Sequence, residues 1–131
     1  MRFMKPLALA AMLAMPMGAA VAGSYSSDAP VVVGKLGDQV YLMTSDKMTL
    51  YTFDKDGKGV SNCYGDCAVK WPPLDGSGVT DLPPGYSVID RKDGTKQIAY
   101  KGHPLYLWFK DTKPGDMTGD GVKGVWHVAR P

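Results

Sequence analysis

Leu50-Tyr51-Thr52-Phe53-Asp54-Lys55-Asp56 is answered 55 residues later by Leu105-Tyr106-Leu107-Trp108-Phe109-Lys110-Asp111. In each copy a Trp follows the Tyr by 20 positions, Trp71 after Tyr51 and Trp126 after Tyr106. Agreement in both identity and spacing marks a duplicated unit. On a strand, residues two apart share a face. Tyr51 with Phe53, and Tyr106 with Trp108, therefore predict paired aromatics on one side. Asp56 and Asp111 fall beyond the strand end, where a carboxylate can accept backbone N–H bonds from a Gly-rich loop. Two readings follow. The motif is a core-and-turn signature, or its aromatics, with Trp71 and Trp126, form a binding surface rimmed by the two Asp.

The first residues read as a secretory signal peptide over 1–22. Arg2 and Lys5 precede an uncharged apolar run from Pro6 to Val21, and Ala20-Val21-Ala22 supplies small residues for cleavage before Gly23. The run is short against the roughly 20 residues that span a bilayer, so no membrane span is expected after cleavage. The remaining 109 residues suit one small domain. They carry 13 Lys and Arg against 13 acids, a balance that gives no reason to expect nucleic acid as a partner. Every acid is Asp. Asp favours caps and turns over helix interiors, and the chain is dense in Gly and Pro, which predicts short strands joined by tight turns.

Residues 23–30 read as a flexible lead-in, and 31–131 as a single β domain. Repeat one covers 31–74, a Gly/Pro-rich connector 75–85, and repeat two 86–131. Strands are predicted at Val31–Val33, Gln39–Thr44 and Met48–Phe53, the last two forming a hairpin through Ser45-Asp46-Lys47. Repeat two predicts strands at Tyr86–Asp90, Lys96–Tyr100, His103–Phe109 and Val125–Ala129, with Asp93-Gly94 as a hairpin turn. A deletion of about two residues before the second Tyr aligns the upstream strands. One short helical turn is expected within 61–71, capped by Ser61 or Asn62 and ended by Pro72-Pro73. The expected fold is all-β, a compact antiparallel sandwich- or barrel-like domain of two pseudo-symmetric repeats. A unit of one repeat could hardly bury enough surface by itself, so the halves should share one core.

Tyr51, Phe53 and Asp56, like Tyr106, Trp108 and Asp111, fit the pattern Yx(FWY)xxD. Cys63-x-Gly65-x-Cys67-Ala68 running to Trp71-Pro72-Pro73-Leu74 accompanies the first copy, and Gly102-x-Pro104-Leu105 with Gly115-Asp116-x-x-Gly119 the second. In these stretches the chain resembles the bacterial secreted repeat of unknown function, predicted lipoproteins with that motif. The resemblance implies an extracytoplasmic module, often lipid-anchored, without an established activity. No Cys lies near the cleavage point, so a soluble periplasmic or secreted form is expected.

Cys63 and Cys67 are the only cysteines. An even count in an exported chain favours a disulfide, which over so short a loop contributes only about 2 kcal/mol. The pair reads as a small staple or as a redox-active or metal-binding site. A thioredoxin-type site is disfavoured, since its cysteines have two residues between them. Thr118 and Val122 stand at the matching places of repeat two, so the pair belongs to one repeat only. With His103 and His127 the cysteines are weak candidates for a soft copper site; haem is the other group considered, and no cofactor is predicted. The Asp/Gly loops lack a full calcium-binding frame, and no catalytic triad or phosphate loop is evident. The expected function is an exported, non-enzymatic binding or interaction module, with an envelope protein or small ligand as partner and a monomeric state. The alternative is an envelope redox or metal-handling protein using Cys63 and Cys67.

Overall fold

The computed structural model describes residues 29–131, and the packed unit runs from Val31 to Pro131. The expected signal peptide and most of the expected lead-in lie outside the described residues. Seven short strands follow in order: β1 Val32–Leu36, β2 Gln39–Met43, β3 Tyr51–Phe53, β4 Tyr86–Asp90, β5 Lys96–Tyr100, β6 His103–Pro104 and β7 Trp126–Val128. A five-residue helix, α1 (Asp66–Lys70), lies between β3 and β4, and a single 3-10 turn, Val122–Gly124, precedes β7. All pairing is antiparallel: β1 with β2, β3 with β7, and β4-β5-β6 in one sheet. The all-β duplicated architecture expected from the sequence is therefore present.

The small sheets are joined at the motif. Tyr51 and Tyr106 face each other as an isolated antiparallel bridge, with each amide donating to the other's carbonyl at 2.8 and 3.0 Å. The pseudo-twofold axis passes between them. Around it the bonds come in matched pairs. Leu74 N–H donates to Leu105 as Ala129 N–H does to Leu50, and Ile98 N–H donates to Leu74 as Leu42 N–H does to Ala129. The last segment of each repeat thus bonds to the strands of the other repeat. Alternating side chains from these segments feed two cores. Leu42, Leu50, Leu74, Ile98, Leu105 and Ala129 fill an aliphatic one, while both Tyr and all three Trp fill an aromatic one. Each large side chain buried this way contributes about 1.5–3 kcal/mol.

Several local expectations change. The regular partner of β2 is β1, across Gly37-Asp38; Gly37 takes φ +61, a left-handed value suited to Gly. The Ser45–Lys47 turn does form, with Thr44 N–H bonded to Met48 O, but the ladder of β3 runs with β7. The strand expected over 103–109 is regular only at β6, because successive amides take different partners: Leu105 bonds to Ile98, Tyr106 to Tyr51 and Leu107 to Pro72. Helix α1 is preceded by Gly65 at φ +62 and has no side-chain cap, so neither Ser61 nor Asn62 caps it. Leu42 and Ile98, which hold matching places, are 56 positions apart, against 55 for the two Tyr. The shortening before the second Tyr is one residue rather than two.

Because each repeat completes the other, a fragment ending at residue 85 and a fragment beginning at 86 should each be unfolded alone and regain native circular dichroism on mixing. A dispersed amide spectrum from either fragment by itself would show that the exchange of end segments is dispensable.

Candidate functional site

The motif's acids act across the duplication. The Tyr51 hydroxyl donates to Asp111 Oδ2 at 2.6 Å, and the Tyr106 hydroxyl donates to Asp56 Oδ2 at 2.7 Å. The remaining carboxylate oxygens hold the loops: Asp56 Oδ1 accepts Asn62 N–H at 2.7 Å, and Asp111 Oδ1 accepts the Thr118 N–H and hydroxyl at 2.9 and 2.6 Å. Both Tyr are 0 % exposed. Burial first, then the neighbouring carboxylate, pushes the Tyr51 phenol far above its ordinary value. Burial likewise raises the Tyr106 phenol. Both hydroxyls therefore stay protonated as donors, and a hydrogen bond to a charged acceptor contributes about 1.5–3 kcal/mol.

The Tyr106 side of the axis carries a polar chain that the sequence reading did not find. Arg91 is buried and donates to Ser61 Oγ at 2.7 Å, Gln97 Oε1 at 2.8 Å and Cys63 O at 2.7 Å. Ser61 Oγ lies 2.6 Å from the Tyr106 hydroxyl. Arg91 can only donate, and Tyr106 gives its proton to Asp56, so Ser61 must donate to Tyr106. One directed chain of donors joins a buried guanidinium to a half-buried carboxylate. Arg91 stands at the mouth of a hairpin turn, where a charge ordinarily meets water.

The aromatic core is a stack of four rings. Phe53 lies on Trp126 with centroids 4.1 Å apart, Trp126 on Trp71 at 3.7 Å, and Trp71 on Trp108 at 3.9 Å. The order is palindromic about the axis, since Phe53 matches Trp108 and Trp71 matches Trp126. Tyr51 and Tyr106 meet the stack edge-on, through Trp71 and Trp126. The motif's aromatics are thus mostly interior, with Trp108 only 9 % exposed and Phe53 half-buried. Such burial is what a core-and-turn signature requires. Where the stack meets solvent it lines one groove of about 340 Å³. Its walls come from α1, with Asp66, Cys67 and Lys70, and from the 3-10 turn, with Val122, Lys123 and Val125; Lys55 lies at the rim beside Phe53. The groove straddles the pseudo-axis.

Residues 31–75 and 87–130 each match the family described as a secreted repeat of unknown function. The chain belongs to this family. The two matches fall on the two halves related by the axis, and the description agrees with export. Comparison with curated proteins and with solved structures found no match.

In this secreted repeat protein Cys63 and Cys67 form a disulfide with Cα atoms 5.3 Å apart. Cys63 is fully buried, and Cys67 is half-buried on the groove wall. The structure does not bring the four metal candidates together: among the described residues no group of three or more His, Cys, Asp or Glu could hold a metal ion. His127 lies on the outward face of β7 and pairs with Asp54 at 2.8 Å, and His103 is exposed at the start of β6. Among the described residues no helix is long and apolar enough to cross a membrane. The groove residues Lys70, Val122, Lys123 and Val125 also escaped the sequence reading. Their one available signal was position, since they flank the Trp of each repeat.

Burial, outweighing the bonds from Tyr106 and Asn62 and the charge of Arg91, raises the Asp56 carboxyl above the usual carboxylate value. A carboxyl raised by folding contributes its stability below its unfolded value and loses it as pH rises through its folded value. Asp56→Asn removes that dependence. Its penalty relative to wild type should be larger at about pH 3 than at about pH 7 in urea denaturation; a penalty that grew with pH would contradict the burial argument.

Proposed function

We propose that this is an exported, non-enzymatic binding module whose ligand site is the groove on the pseudo-twofold axis. The observation that carries this reading is that all four rings of the stack line one groove, between walls drawn from both repeats. A volume of about 340 Å³ falls in the lower part of the range for small-molecule sites. The aromatic floor supplies apolar contact and the lysines supply polar anchors, the usual division in such sites. The groove is built on the rigid centre of the fold, so little ordering is needed on binding. A small ligand fits it better than a protein partner, whose interface would need about 800 Å² per side.

Amide and indole N–H spectra recorded with a mixture of small ring-containing fragments test this. Shifts should gather on Trp71, Trp108 and Trp126 and on the amides of Val122 and Val125, and the groove-filling Val122→Phe variant should abolish them. Shifts that gather elsewhere would refute the site.

A second reading has one observation in its favour. Cys67 shares the groove with Lys55, Lys70 and Lys123, and neighbouring cations stabilise a thiolate, so the disulfide could serve a redox exchange. A measured reduction potential well above about −300 mV would support it, whereas an inert staple lies below that value. The staple value is the expected one.

A further inference from the structure

We infer that the groove selects a small aromatic carboxylate, a flat ring bearing one or more anionic groups. This inference rests on the groove being the binding site. The stack decides which part of each ring a ligand can reach. Trp126 is covered on both faces, by Phe53 at 4.1 Å and Trp71 at 3.7 Å, and Trp71 is covered by Trp126 and by Trp108 at 3.9 Å. The two central indoles can therefore offer the groove only their edges. Aromatic edges carry partial positive charge and faces partial negative charge. An edge-lined floor suits the face of another aromatic ring, in T-shaped contact, or an anionic oxygen. Over these two indoles a sugar finds no open ring face for its C–H groups.

The rim has the same sign. Lys55, Lys70 and Lys123 border the groove, against the single carboxylate of Asp66. This excess is local, because Lys and Arg balance Asp over residues 23–131 apart from the two histidines. It also breaks the pseudo-symmetry: Lys70 corresponds to Val125, and Lys123 to Ala68. Each wall thus brings a cation of its own, while Val122 and Val125 leave an apolar strip on the 3-10 side. Lys123 is held at φ +53, a left-handed backbone that side chains rarely adopt, which fixes where its side chain leaves the turn. A ring set against the indole edges would place its carboxylate between the cations of the two walls.

Calorimetric titration of the full folded protein with four probes tests the inference: 2-naphthoate, 2-naphthylmethanol, cyclohexanecarboxylate and methyl glucoside. Naphthoate should bind about tenfold or more tightly than each of the others, and added salt should weaken it as it screens the rim. Lys70→Gln combined with Lys123→Asn, the latter chosen because Asn tolerates a left-handed backbone, should weaken naphthoate about tenfold and leave the alcohol unchanged. If the alcohol or the glucoside binds as tightly as naphthoate and Val122→Phe blocks both, the ligand class is wrong and the groove stands. If no probe binds, or Val122→Phe blocks nothing, the groove is not the site and the inference falls with it.

Discussion

Two phenol hydroxyls, each donating to a carboxylate of the opposite repeat, are the constraint on which the rest of the molecule depends. A buried carboxylate is costly unless its lone pairs are filled. Asp56 and Asp111 fill theirs from two directions, the loop of their own repeat and the Tyr of the other. The Tyr–Asp exchange fixes how the halves dock, because neither acid is satisfied within its own repeat. Once the two Tyr are opposed, the four-ring stack, the aliphatic core and the crossed end segments all take their places about one axis.

The same docking creates the groove. A pseudo-twofold interface built from stacked rings must end where the stack meets solvent, and there the two repeats contribute unlike walls. One wall is α1, the other a 3-10 turn. Duplication supplies the frame, and divergence at Asp66, Lys70, Val122 and Lys123 supplies the chemistry. The buried polar chain from Arg91 through Ser61 to Tyr106 is another such divergence, since on the opposite side the Tyr51 hydroxyl, while donating to Asp111, accepts from a backbone amide, Gly119 N–H, at 3.2 Å.

The duplication, the antiparallel β class and the face-sharing of Tyr51 with Phe53 were legible because they depend on period and spacing. So was the turn role of the two Asp, which depends on local chemistry. Partner choice was not legible. Nothing in a single strand says that Tyr106 bonds to Tyr51 while its neighbours bond to Ile98 and Pro72, because those contacts join segments far apart in sequence. Arg91 was missed for a related reason. Beside Lys92-Asp93-Gly94 it reads as part of a solvated turn, and only the placement of Ser61, Cys63 and Gln97 around it makes burial tolerable. The groove was illegible because its wall residues Asp66, Lys70, Val122, Lys123 and Val125 belong to no motif and meet the motif's aromatics only after docking.

The single disulfide finds its explanation in the symmetry that it breaks. In repeat two the segment before the 3-10 turn is tied to β7 by Asp120 Oδ1, which accepts Val128 N–H at 3.1 Å. The corresponding positions of repeat one are Gly65 and Pro73. Gly65 has no side chain to accept a bond, and Pro73 has no N–H to donate one, so that tether cannot form. Cys63 and Cys67 match Thr118 and Val122, and their bond fastens the start of α1 where the hydrogen bond is missing. Repeat one also needs Gly65 for its backbone at φ +62 and ψ −131, a combination essentially confined to Gly, which bars an Asp there. A covalent tie thus stands in for a polar one, so that the groove wall that carries Lys70 and the wall that carries Lys123 each have a tether of their own.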